Sequence, residues 1–522
     1  MKKVIAYLLT IIMLCMVPCI ESGAMSDGTT YLTLYATQNS DITKQLDDML
    51  KYAGQIATDE SPVTVMLQKG NYRISGNLHI YSNTTLDMNG SVIEYYGTES
   101  KNMIMLGTVG RYKGITDYNR SIACQGYNGF SNVTVKNGTL KDTDTNKSSN
   151  VRLAHARNVT FENVVFSGCG ASHQIEAAAI DGLYIRNCSF KDYGNDNSTK
   201  RRREAIQFDI PCNSKVFGNV YQDGTVMRNV EITGCTFSNI PRGVGSHSML
   251  YGAYHENIKI NNNRFVNVRE EAVAVLNYYN CEIKDNVIEN CGAGILFQYF
   301  KPTESLGTVF SSVLDGRERY NGAVRYEAKT VISGNKMKIR YNPKSTSRLT
   351  AINVAGYRLS KATKGGDGIL VPAGNYYVSG VDIKDNIIST GGRGIVLENT
   401  KNCVVSGNTV KSEGIYSKDI NRGTYVGITV QDGTTNALIK GNSITGFTRS
   451  AIMAKNKATV QNILKNKIKS CKGYGIYITG GSTVLGYIKK NSINGAVGHG
   501  ILVSSDSRVK RGITGNKVRN VK

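Results

Sequence analysis

The sequence of 522 residues predicts an all-β fold, a single-stranded right-handed parallel β-helix (a solenoid) with an N-terminal capping helix. Three observations predict it. A unit of asparagine, any residue and a branched apolar residue recurs from Asn263 through Asn286, Asn335, Asn386, Asn408, Asn442, Asn466 and Asn491 to Asn516, the last three intervals being 24, 25 and 25 residues. A second unit interleaves with it, an apolar-x-apolar run after glycine or alanine, as in Ile395-Val396-Leu397, Ile428-Thr429-Val430 and Ile476-Tyr477-Ile478. Ahead of the repeats, Asp41 to Ala57 alone has sustained helical periodicity.

Residues 1–24 predict a secretory signal: Lys2 and Lys3, an apolar run from Val4 to Val17, and a small-residue exit at Ser22-Gly23-Ala24. The run is too short for a membrane span, so the expected location is extracellular. Residues 25–60 form the expected cap, with Asp41 at the helix N-cap position. A solenoid end is apolar, and a helix there covers it. From residue 61 to 522 each period holds short alternating runs broken by Gly, Asn and Asp, which is strand and turn chemistry. Like residues then stack about 4.8 Å apart, and asparagines at a repeated turn hydrogen-bond along the stack while tolerating left-handed backbone angles. The asparagine series is therefore scaffold. Long departures at 191–203, 211–228 and 299–350 are expected to wall a groove. The nine cysteines beyond the signal match neither a metal motif nor a disulfide framework and are read as inert core thiols.

The cap helix, the KGNYRIS…SNTTLDMNG entry and the coils NVTFENVVF, GLYIRNCSF and NVEITGCTF resemble the pectate-lyase-like superfamily. That group holds polysaccharide lyases and the polygalacturonase-type enzymes of glycoside hydrolase family 28. The resemblance implies the fold and a carbohydrate-polymer ligand; many chemistries share the scaffold.

Taking the apolar-x-apolar strand as a register mark turns scattered residues into columns. Arg152, Glu176, Gln207, Gly245, Ala274 and Leu296 form one outward column; Ala154, Ala178, Asp209, His247, Leu276 and Gln298 a second; His173, Glu204, Arg242 and Glu271 a third. Polar, ionisable groups concentrate in the coils spanning residues 173–247, and four of the six histidines (His155, His173, His247, His255) fall in or beside that stretch. Glu176 and Asp209 fall one coil and two residues apart, about 8 Å between Cα atoms, compatible with the spacing of an inverting glycosidase. Glu176, Asp209 and His247 are thus the candidate catalytic groups. His173, Glu204, Gln207, Arg242, His255, Asn277 and Tyr278 are the candidate substrate contacts, with Tyr254, Tyr279 and Tyr299 as further sugar platforms. Glu204 with Arg242 reads equally as a structural ladder, and His173 as a satisfied turn histidine. Of the residues that mark glycoside hydrolase family 28, Asn-Thr-Asp and Arg-Ile-Lys are missing here, Asp-Asp occurs only in the cap (Asp47-Asp48) and Gly-His-Gly only near the C-terminus (Gly498-His499-Gly500), away from the candidate columns. No catalytic role is carried over from that family.

Residues 401–522 carry 20 Lys+Arg against 4 Asp+Glu, most of the chain's net charge of +23. A field of that sign attracts an acidic polysaccharide or an anionic cell wall. No nucleic-acid-binding motif accompanies it. The leading expectation is a monomeric secreted protein that cleaves an acidic, uronate-containing polysaccharide by carboxylate acid/base hydrolysis. Competing readings are a lyase, an epimerase and a non-catalytic polysaccharide-binding surface protein. The residues imply no cofactor; Ca²⁺ enters only with the lyase reading, held by carboxylates.

Overall fold

A computed structural model describes residues 20–24, 29–108, 110–193, 203–214, 217–246, 248–250, 252–299, 327–340, 347–364, 373–414 and 425–521, with short pieces at 308–309, 313–314, 317–318, 342, 345 and 370–371. Each coil lays a strand on each of three faces before the chain rises to the next. One such coil runs through Glu271–Leu276 on the first face, Glu282–Lys284 on the second and Val287–Cys291 on the third, then re-enters the first face at Ala293–Gln298. Every one of these strands pairs in parallel with its counterpart in the next coil.

The register agrees with the columns. Arg152 pairs with Glu176, Glu176 with Gln207, Gln207 with Gly245, Gly245 with Ala274 and Ala274 with Leu296. The column continues through Asn353, Val396, Thr429, Met453 and Tyr477 to Leu502. Alternate residues point inward and fill the core with stacked like side chains. On the third face Phe166, Phe190, Phe237 and Phe265 stack in series with ring centroids 4.8, 4.8 and 4.6 Å apart. Each ring pair adds about 0.5–1.5 kcal/mol beyond the burial of its area.

The capping helix runs Thr43–Ile56 and lays Leu46, Met49, Leu50 and Ala53 over the end of the core. Its N-cap residue is Ile42; Asp41 stands one position earlier, and its carboxylate accepts the Thr43 N–H at 2.8 Å. The solenoid begins before this helix. Thr30–Leu34 is already a strand, parallel to Val63–Leu67 and antiparallel to Ile20–Ala24. Residues 1–19, which hold most of the expected signal, lie outside the described residues.

The asparagine series forms a buried ladder. Each side-chain oxygen accepts both the backbone N–H and the side-chain amide of the asparagine one coil earlier, as between Asn408 and Asn386 at 3.0 and 2.9 Å. The left-handed turn residue is the neighbour just before each rung: Asn262, Asp285, Asp385, Gly407, Lys465 and Lys490 have φ between 55° and 67°. This corrects the expectation that the asparagines themselves take that conformation. It also accounts for the Gly, Asp or Lys that precedes them. All nine described cysteines are buried free thiols, and Cys188 and Cys235 occupy rung positions ahead of the first asparagine.

Candidate functional site

The strand Glu204–Asp209 is buried along its whole length, on both faces. Its outward column was expected at the surface and is covered instead, at Asp209 by Ser248. Asp209 is fully buried, its carboxylate oxygens accepting from Ser248 Oγ and Gln207 Nε2. Glu176 is largely covered as well, accepting from Ser149 Oγ at 2.8 Å and lying 3.3 Å from Arg152 Nε. Arg152 in turn rests 4.2 Å over the Phe217 ring. His247 lies outside the described residues.

The third column is a buried ionic network. Arg242 donates to Glu204 Oε1 at 2.6 Å and to Glu271 Oε2 at 2.7 and 3.0 Å. Burial alone would pull the guanidinium down, but Glu271 and Glu204 hold it well above its ordinary value. Burial pushes the Glu271 carboxyl up and Arg242 outweighs it, so Glu271 stays ionised below the usual range. His173 is buried beside the network, its Nδ1 at 2.8 Å from the Glu204 carbonyl oxygen. Asn277 is a left-handed turn residue with φ 57°, and Tyr278 is buried with its hydroxyl 2.8 Å from Ser246 Oγ. Tyr254 and Tyr299 are buried as well. The register expected for Glu176, Gln207, Glu204 and Arg242 is the one observed, but these residues lie deeper than expected.

The histidines divide in the same way. His155 places its ring nitrogens 2.8 and 2.7 Å from the carbonyl oxygens of Gly126 and Tyr221, tying two excursions together. His255 accepts the Met227 N–H at Nδ1, 3.0 Å, and stands edge-on to Tyr278. Its Nε2 finds no partner, and burial pulls the imidazole from 6.5 down to about 3. The folded protein therefore keeps His255 neutral while the unfolded chain protonates it near pH 6.5. Between those two values the unfolded state binds the extra proton, so this contribution to stability is lost as pH falls from 6.5 toward 3. Urea midpoints of a His255→Gln variant are expected to fall less steeply than the parent's between pH 6.5 and 4; parallel profiles would contradict the assignment.

An open cleft of about 600 Å³ lies farther along the same first face. Its floor is the outward side of Ala293–Gln298, Thr350–Ala355 and Arg393–Glu398, with Leu296 and Asn353 in register. One wall is an arm in which Tyr357–Leu359 pairs antiparallel with Gly374–Tyr376. Asn399 Nδ2 pins its base, donating to the Tyr357 and Tyr376 carbonyls at 2.5 and 3.3 Å. Gly356 permits this approach, since a Cβ there would sit 2.3 Å from Asn399 O. The other wall is Ser347-Arg348, held where Glu270 accepts Ser345 Oγ, Ser347 N and Ser347 Oγ at 2.9, 2.9 and 2.7 Å.

The cleft is polar and mixed in charge. Arg348, Arg358, Glu398 and Asp432 line it with Tyr357, and Glu271 reaches its N-terminal end. Arg348 stands 3.5 Å from Glu398. Arg393 lies alongside, its guanidinium brought down to about 10 by burial and then by Arg348. Asn353 Oδ1, Asn399 Oδ1 and Thr350 Oγ1 are buried with no hydrogen-bond partner. Of the described residues singled out from the sequence as catalytic or substrate-binding, none lines this cleft. Among the described residues no group of three or more His, Cys, Asp or Glu is placed to hold a metal ion. No helix among them is long and apolar enough to cross a membrane.

Parallel coils on three faces with a walled groove on one of them define a β-helix solenoid. The chain belongs to the right-handed β-helix region family, which matches residues 219–418 and 331–521, together more than half of its length. It is similar in structure to PfbA, a surface adhesin of Streptococcus pneumoniae, at 20% identity and a TM-score of 0.56, covering 85% of this chain and 100% of that one. It is also similar to a double mutant of the tailspike protein of E. coli bacteriophage HK620, solved in complex with a pentasaccharide. There the identity is 11% and the TM-score 0.52, covering 93% of this chain and 76% of that one. Both are likenesses of fold. No curated protein sequence matches the chain.

Proposed function

We propose that this is an extracellular polysaccharide-acting protein that binds an acidic, uronate-bearing chain in the first-face cleft. The observation that carries the reading is the cleft's lining: two exposed arginines and a tyrosine beside buried acceptors with no partner. Arginine forks grip a sugar carboxylate bidentately, tyrosine covers a ring face, and amide and hydroxyl oxygens take sugar hydroxyls. A partnerless buried acceptor costs about 1–3 kcal/mol, which a hydroxyl-rich ligand returns on binding.

Hydrolysis is the second reading, and the carboxylates favour it. Glu398 pairs in register with Gln431, so Asp432 is one coil and one residue away, about 6 Å between Cα atoms. One carboxyl protonating the leaving oxygen while its neighbour activates water or attacks is the chemistry such pairs perform. The pair drawn from the sequence, Glu176 and Asp209, is the alternative; its burial makes it the weaker candidate.

The test is a panel of uronic-acid polysaccharides, read by affinity electrophoresis, reducing ends and ultraviolet absorbance. Arg358→Ala is expected to weaken binding about tenfold, the loss of one charge-assisted contact. Glu398→Gln is expected to stop reducing-end release while binding persists. Reducing ends accompanied by absorbance would mean elimination. If the intact protein bound no member of the panel, the reading would fall.

A further inference from the structure

We infer that the C-terminal coils carry a second binding surface, a basic ridge along the edge between the second and third faces that holds a linear acidic glycopolymer parallel to the solenoid axis. Its residues are Lys440, Lys465, Lys467, Lys489, Lys490 and Lys517. On the second face Lys440 pairs with Leu464 and Leu464 with Lys489. On the third, Lys467 pairs with Ser492 and Ser492 with Lys517. Lys465 and Lys490 are the left-handed turn residues that join the two faces, with φ of 55° and 57°. The rungs Asn442, Asn466, Asn491 and Asn516 lie immediately beneath, so the ridge stands on the stiffest part of each turn.

The ridge is uncompensated. Among the described residues no lysine or arginine from 440 onward is in an ion pair, and Asp506 is the only acidic residue in that stretch of the sequence. Asp506 is engaged elsewhere, accepting from Ser504 Oγ and the Gly481 N–H. Coils rise about 4.8 Å, so like charges crowd along one line at a cost that a facing polyanion removes.

The residue types define the partner. Lysines are point charges that impose no fork geometry, suiting a flexible chain of evenly spaced charges. Ser443 and Ser492 fall in the same outward column as Lys467 and add hydroxyl partners. Tyr487 lies under Lys489 at 5.4 Å and is the one aromatic in a cation–π contact with a ridge lysine among the described residues. A single-stranded nucleic acid would call for a series of stacking rings. The ridge and the first-face cleft occupy different faces, and this inference does not rest on the reading of the cleft. Uronate and phosphodiester glycopolymers share the required chemistry.

The experiment compares the full chain with a Lys465→Glu, Lys467→Glu, Lys490→Glu variant for binding to polygalacturonate, poly(glycerol phosphate) and duplex DNA, from about 50 to about 300 mM salt. Both glycopolymers are expected to bind at low salt. The affinity should fall about tenfold or more with salt, and again in the variant, whose circular dichroism should match the parent's. The tighter polymer identifies the source of the anion. The same comparison on an Arg358→Ala background removes the cleft's share of polygalacturonate binding, and the loss caused by the lysine reversals is expected to persist there. Lys465→Gln with Lys490→Gln gives a milder second variant should the reversals disturb folding. Equal affinity in parent and charge variants, or DNA bound more tightly than either glycopolymer, would overturn the ridge.

Discussion

Replacing Arg242 by alanine is expected to cost about 3–5 kcal/mol, the penalty for leaving buried charge without its partner. The figure follows from what remains. Glu204 is fully buried and Glu271 nearly so, and Arg242 joins them through three hydrogen bonds of 2.6–3.0 Å. Without the guanidinium, two carboxylates face each other in the protein interior, and both must take up protons near neutral pH or the coils must part. Solenoid stability is a sum over neighbouring coils, so the damage should be local. Amide exchange is expected to accelerate in the coils from Glu204 to Gln298 and to be unchanged beyond Lys440. Arg242→Lys should recover part of the loss, since it restores the charge without the two-pronged fork. A loss under about 1 kcal/mol, or one spread evenly along the chain, would show that the network is solvated.

The fold was readable because a β-helix writes its geometry into its period. Asn466, Asn491 and Asn516 recur once per coil, and apolar-x-apolar triplets such as Ile476-Tyr477-Ile478 mark the inward register, which the pairings reproduce pair by pair. The neighbours Glu176–Gln207 and Glu204–Arg242 followed from that register alone. Depth did not. A column position states which way a side chain leaves the strand and says nothing of what lies over it. At Glu204–Asp209 the chain itself returns to cover the strand, through Ser248 and the segment beginning at Ile210.

The cleft was harder to foresee, although part of its signal was present. Glu398 and Gln431 continue the second column after Leu276, Gln298 and Ala355, bringing polar residues back into it. Asn353 continues the first, but more than two ordinary periods of sequence separate it from Leu296. The departure expected over 299–350 is interrupted, since Glu327–Ser333 and Lys336–Ile339 are solenoid strands paired in parallel with the coils on either side. The walls had no periodic signature at all. Arg348, Tyr357 and Arg358 come from segments outside the repeat, and only the tie of Asn399 to the Tyr357 and Tyr376 carbonyls brings that arm over the floor.

Asn408→Ala, at an interior rung, should be far more damaging than the same change at the last rung, with an expected cost of about 3 kcal/mol or more. Asn408 Oδ1 accepts the Asn386 N–H and its side-chain amide at 3.0 and 2.9 Å. Its own amide donates to Ile383 O, Ser406 O and Asn442 Oδ1 at 2.9, 3.0 and 3.0 Å. Truncation leaves a backbone donor and several side-chain and carbonyl groups short of partners at a buried position, and each such orphan costs about 1–3 kcal/mol. Asn516 makes the same kind of bonds on the final rung, but it is only partly buried, so water can replace what is lost there. Asn516→Ala is therefore expected to cost about 1 kcal/mol or less. The two substitutions remove identical atoms, and their difference reports burial together with the bond to a following rung, which Asn408 makes to Asn442. Equal losses in urea unfolding would mean that the ladder stabilises each turn locally and that its continuity along the solenoid contributes nothing.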